Sequence, residues 1–93
     1  MTAAAPAVLD RAWRLHPQVS VRPESFGALL YHFGTRRLSF LKDRRLLEVV
    51  QRLPDSASAR DACTAAGLVP DDLPAYDRAL AQLAATDMIQ ERT

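Results

Sequence analysis

The hydrophobic periodicity of the chain changes once, at Asp43, and that single change confines it to a sheet followed by helices. Before Asp43 apolar residues recur at every second position; after it they recur at every third or fourth. Trp13 and Leu15 alternate with Arg14 and His16, Pro17 interrupts, and Val19 and Val21 alternate with Ser20 and Arg22. Pro23 to Gly27 reads as a turn, with proline presetting φ and glycine free to take positive φ. The next run, Ala28 to Phe33, puts Leu29, Tyr31 and Phe33 on one face and Leu30 and His32 on the other. Gly34-Thr35 closes a second hairpin into a third strand, with Leu38 and Phe40 on one face and Ser39 and Leu41 on the other. Connections this short make an antiparallel meander.

Beyond Asp43 the spacing is helical. Asp43 can cap a helix that carries Leu46, Leu47, Val50 and Leu53 on one stripe and ends at Pro54. Ser58, with Asp61 three residues on, opens a short helix through Ala62, Cys63 and Ala66 that Gly67 stops. Pro70-Asp71-Asp72-Leu73-Pro74 starts a third helix, with Leu73, Tyr76, Leu80 and Leu83 recurring at spacings of three and four. It frays near Thr86 and leaves Met88 and Ile89 to dock as a tail. The pattern predicts an α+β domain, a three-stranded antiparallel sheet followed by three helices. With 93 residues there is room for one small domain. Residues 1–12, Ala/Pro-rich at their start, are expected to be a flexible N-terminal tail, and 13–93 the domain.

Several functions lack the residues they need. No apolar run approaches the roughly 20 residues of a membrane span, and the N-terminal residues have neither the basic region nor the apolar stretch of a signal peptide. A soluble, cytoplasmic protein is expected. Cys63 is the single cysteine, which excludes an internal disulfide and any zinc or iron–sulfur site built on cysteines. His16 falls at a strand end and His32 mid-strand, neither beside an acid, and the spacing of a catalytic triad or of HExxH does not occur. His32 reads as a half-buried strand residue facing away from Tyr31, and Cys63 as a small buried thiol. The glycines, Gly27, Gly34 and Gly67, are too scattered for a phosphate loop. Neither enzymatic activity nor a metal or organic cofactor is expected.

Charge is more informative. The net charge of +1 conceals a split: residues 1–52 hold nine Lys/Arg against four Asp/Glu, and 53–93 hold three against seven. Arg36, Arg37, Lys42, Arg44 and Arg45 crowd into one short stretch with Asp43 alone opposing them. Such a cluster is either a solvated rim guarding a sheet edge or a landing site for an acidic partner. Strands with three helices can build a winged helix-turn-helix, whose recognition helix enters DNA. Here that helix and the residues after it carry Asp71, Asp72, Asp77, Asp87 and Glu91 against Arg78, so the polyanion would repel it. A peptide fits better. If the third strand lies at the sheet edge it can accept a guest strand, with Tyr76, Leu80 and Leu83 walling the groove beside it. A DNA-binding winged helix and a generic interaction module remain the alternatives.

The run Arg22-Pro23-Glu24-Ser25-Phe26-Gly27-Ala28-Leu29-Leu30-Tyr31-His32-Phe33-Gly34-Thr35-Arg36-Arg37-Leu38-Ser39-Phe40-Leu41-Lys42, preceded by Trp13-Arg14-Leu15-His16-Pro17, resembles the mycofactocin biosynthesis peptide chaperones. These are PqqD-like members of the RiPP recognition elements, and the resemblance runs on through the helices. It implies a winged-helix-like PqqD fold and a chain that captures the acidic leader of a ribosomally made precursor peptide. The leader would add as a strand beside the third strand, pack on the third helix and be presented to a radical SAM maturase that carries its own iron–sulfur clusters. On this sequence the implied peptide-binding positions are Arg36, Arg37, Leu38, Ser39, Phe40 and Leu41, with Tyr76, Leu80 and Leu83 across from them. No cofactor, nucleic acid or membrane partner is implied.

Overall fold

The computed structural model describes residues 8–92. Five strands and three helices alternate with short 3-10 turns: β1 (Trp13–Leu15), β2 (Val19–Glu24), β3 (Gly27–His32), β4 (Arg37–Leu41), α1 (Arg44–Arg52), α2 (Ala59–Ala65), α3 (Leu73–Ala85) and β5 (Ile89–Glu91). β2, β3 and β4 form the expected antiparallel sheet in the order β2-β3-β4. The register pairs Val21 with Leu30 and Leu30 with Ser39 on the face toward the helices, and Leu29 with Phe40 and Tyr31 with Leu38 on the other. α1 covers the inner face, α2 packs behind it and α3 lies beside β4. Ala28, Leu30 and Leu41 from the sheet meet Leu46, Val49, Val50, Leu80 and Met88 in one core.

Three local features depart from the periodicity. The first alternating run splits at Pro17: Trp13–Leu15 leaves the main sheet and pairs with β5, Trp13 opposite Glu91 and Leu15 opposite Ile89. Met88 and Ile89, expected as a docked tail, are fully buried, and Ile89 opens that strand. The first hairpin is tighter than Pro23 to Gly27, because Pro23 and Glu24 belong to β2 and Ser25-Phe26 make the turn. Of the stretch expected to be a tail, residues 1–7 lie outside the described residues. The remainder is anchored: Val8–Asp10 is a 3-10 turn with Leu9 buried, and Trp13 Nε1 donates to the Val8 carbonyl at 2.8 Å.

Helix ends follow the capping chemistry of the sequence. Asp43 Oδ1 accepts from Arg45 N at 2.7 Å, and Ser58 Oγ accepts from Asp61 N at 3.2 Å. Gly67, at φ +90°, carries the chain out of α2 through a conformation that side chains disfavour. Gly27 has a different role: a Cβ there would lie 1.9 Å from the Leu41 carbonyl oxygen, so glycine lets the start of β3 meet the end of β4. The turn between β3 and β4 is clamped by His32. The residue is 3% exposed, deeper than the half-buried position expected, and its Nδ1 accepts from the amides of Gly34 (3.0 Å) and Thr35 (3.1 Å).

Candidate strand-addition groove

The three-stranded sheet has two edges, β2 and β4, and they are not equivalent. β2 carries Pro23, which cannot donate to a ladder, and the Arg22–Glu24 ion pair at 2.7 Å. β4 has no proline, and among the described strands only β3 pairs with it. Alternate residues of β4 therefore direct backbone N–H and C=O groups outward, beside an apolar trough. Leu38, Ser39, Phe40 and Leu41 form one wall of that trough, Ala79, Gln82 and Leu83 of α3 form the other, and Leu46 lies between them. It holds about 290 Å³ and opens along its length, so it cannot enclose a small molecule but suits the side chains of an extended chain.

A second hollow of about 200 Å³ continues it between Lys42-Asp43 and Ala75, Tyr76 and Ala79. There the Tyr76 hydroxyl donates to Asp43 Oδ2, while Asp43 Oδ1 caps α1. One carboxylate thus links the end of β4, the start of α1 and the first turns of α3, and sets the width of the groove mouth. Burial, aided by the hydrogen bond and negative charge of Asp43, pushes the Tyr76 phenol above the usual tyrosine range. Burial likewise raises the Cys63 thiol, which keeps it in its unreactive protonated form.

Electrostatics favour an acidic guest. Arg36, Arg37, Lys42, Arg44 and Arg45 form no salt bridge among the described residues, and Asp43 spends both carboxylate oxygens on the hydrogen bonds just described. Arg36 and Arg37 lie at the turn end of β4, and Lys42 to Arg45 at the other. Both ends of the groove are basic.

The residues expected from the sequence are only partly brought together. Ser39, Leu41 and Leu83 line the trough and Tyr76 its continuation, whereas Leu38 borders it from the β4 wall with its side chain on the outer face of the sheet, 58% exposed. Leu80 does not: it has no exposed surface and points into the core. Phe40 contributes to the β4 wall, but its ring lies on the outer face of the sheet, 59% exposed and 6.5 Å from the Phe26 ring. A helix turns about 100° per residue, so the leucine stripe that fills the core turns Ala75, Ala79 and Gln82 toward β4. Small residues at 75 and 79, one turn apart, are the sequence signal for such a recess. The two histidine rings lie against each other, centroids 4.4 Å apart and planes tilted by 43°. Among the described residues no three His, Cys, Asp or Glu side chains are grouped to hold a metal ion. No described helix is long and apolar enough to cross a membrane.

Comparison with known proteins places the chain in a family. The sequence model of the peptide chaperone MftB family matches residues 12–90. The chain is 59% identical over 83 residues to a protein of Mycobacterium tuberculosis named Peptide chaperone MftB, covering 89% of this chain and 76% of that one. It is 58% identical over 80 residues to its namesake in Mycobacterium ulcerans (86% and 73% covered) and 56% identical over 80 residues to that of Mycolicibacterium smegmatis (86% and 78% covered). No solved structure matches at a significant level. With most of its length matched at this identity, the chain belongs to the peptide chaperone MftB family.

Proposed function

We propose that this protein captures the leader of a ribosomally synthesised precursor peptide as an added strand on β4, and presents it to a radical SAM maturase in mycofactocin biosynthesis. The observation that carries the proposal is the unpaired edge of β4 lying beside an apolar trough under α3, with basic residues at both ends. The name of the relatives, a peptide chaperone, supports the same role. The protein works in the cytoplasm by binding alone, and the chemistry is the maturase's.

Energetics divide the work between backbone and side chains. Each hydrogen bond of the new ladder is worth about 1 kcal/mol net and is indifferent to the guest's sequence. Each aliphatic side chain buried in the trough adds about 1.5–3 kcal/mol. Because strand side chains alternate, every second guest residue points at Ala79, Gln82 and Leu83, and those positions set specificity. The basic ends steer an acidic leader toward the edge and speed its arrival.

Hydrogen exchange with and without the precursor peptide tests the mode of binding. A new ladder protects alternate amides within Arg37–Leu41. Protection confined to β2 or α1, with β4 unchanged, would refute strand addition at this edge while leaving peptide binding intact.

A further inference from the structure

On the face of the sheet turned away from the helices, β3 and β4 present an apolar surface that is left exposed among the described residues. Leu29 and Tyr31 of β3 lie beside Phe40 and Leu38 of β4, and the two hairpin turns add Phe26 at one end and Phe33 at the other. Phe26, Phe33, Leu38 and Phe40 are between 46% and 60% exposed. The rings lie against one another instead of standing apart: Tyr31 and Phe33 meet edge to face at 5.1 Å, and Phe26 and Phe40 at 6.5 Å. Four such side chains at about half exposure leave on the order of 400 Å² of apolar surface, a patch of the size that marks an interaction site. Scattered surface leucines would need no explanation; a contiguous group of six apolar residues across two strands and their turns does.

Area and charge select the occupant. A stable interface takes about 800 Å² from each partner, so the empty platform alone is too small to hold any protein stably, a second copy of this chain included, and needs widening. The sheet segment from Val19 to Lys42 carries Arg22, Arg36, Arg37 and Lys42 against Glu24 alone, so two copies brought face to face would repel. A lipid surface is entered by side chains that stand free, whereas these rings pack in pairs, with 85° between the planes of Tyr31 and Phe33 and 46° between those of Phe26 and Phe40. The geometry points to a folded protein whose docking face has an apolar centre and an acidic rim.

Continuity with the β4 edge adds a further consequence, which rests on the strand-addition reading above. A guest strand would lie about 4.8 Å beyond β4, with every second side chain on this same outer face. The loaded guest then widens the platform, next to Leu38 and Phe40. We infer that the outer face Phe26–Leu29–Tyr31–Phe33–Leu38–Phe40 is where the peptide-receiving maturase docks, and that the bound leader completes this face, so the loaded form is preferred over the empty one.

The test uses the full chain carrying Phe26→Ser and Phe33→Ser, each also made singly in case the pair fails to fold. Both residues are exposed and neither lines the trough. Binding to the precursor peptide and to the maturase, the latter with and without peptide, is measured by calorimetry. Expected are unchanged peptide affinity, tighter binding of the maturase by the loaded wild type than by the empty one, and a loss of maturase affinity on the order of tenfold or more in the folded variant. Unchanged maturase affinity in that variant overturns the inference but leaves the peptide-binding reading standing. Absent peptide binding by the wild type overturns that reading, and the inference with it. Sedimentation of the wild type as a dimer that the substitutions dissolve would assign the face to a second copy. Binding to vesicles of phosphatidylglycerol and phosphatidylcholine that the substitutions abolish would assign it to lipid; either result overturns the inference.

Discussion

Ala79 and Leu80 are adjacent in α3 and have opposite surroundings, so replacing each in turn separates the groove from the core. Leu80 is fully buried among core residues of the sheet and helices. Leu80→Ala removes its packing and leaves a cavity, at a cost of about 3–4 kcal/mol. A domain of this length is stable by roughly 5–14 kcal/mol in all, so the variant loses a large share. At about 4–8 °C per kcal/mol, its Tm should fall by roughly 12–30 °C. Ala79 is half-buried on the groove side, and glutamate is nearly as good a helix former, so Ala79→Glu costs about 0.5 kcal/mol. The same glutamate sets an unpaired charge in an apolar trough and would face the acidic guest proposed above. Peptide affinity should drop on the order of a hundredfold, about 2.7 kcal/mol. Urea unfolding followed through Trp13, the single tryptophan and 6% exposed, measures stability, and calorimetric titration with the precursor measures binding. A natively folded Ala79→Glu protein with unaltered affinity would refute the groove, and a Leu80→Ala protein as stable as wild type would refute the orientation of α3.

Two further outcomes follow from named groups. Tyr76 holds its proton more tightly folded than unfolded, so its contribution is complete below pH about 10, the unfolded phenol's range, and is lost as pH rises beyond it; Tyr76→Phe should flatten the alkaline fall in unfolding free energy seen by urea titration at stepped pH. Arg36→Glu with Arg37→Glu should slow association of the precursor at low salt and leave dissociation nearly unchanged, and stopped-flow measurement across salt concentrations should show the deficit shrinking as screening rises.

Local chemistry in the sequence was enough to determine the sheet-then-helices order, the hairpin between β3 and β4, the caps at Asp43 and Ser58 and the basic flanks of the third strand. Each of these depends on residues within one turn or one hairpin of each other, where periodicity and capping act directly. The edge position of β4 was legible too, because a meander of three strands leaves its last strand unpaired unless something later covers it. Only the tertiary structure decided what joins across long separations. Trp13 pairs with Glu91 because β1 and β5, from opposite ends of the chain, pair with each other, which no local pattern records. The Tyr76–Asp43 bond spans 33 positions and depends on where α3 settles over β4. The choice between Leu80 and Ala79 as the groove residue is likewise a matter of rotation. Leu73, Tyr76, Leu80 and Leu83 make one stripe in sequence, but a core of fixed shape takes the centre of the stripe and leaves its shoulder, with the two alanines beside it, to form the recess against β4.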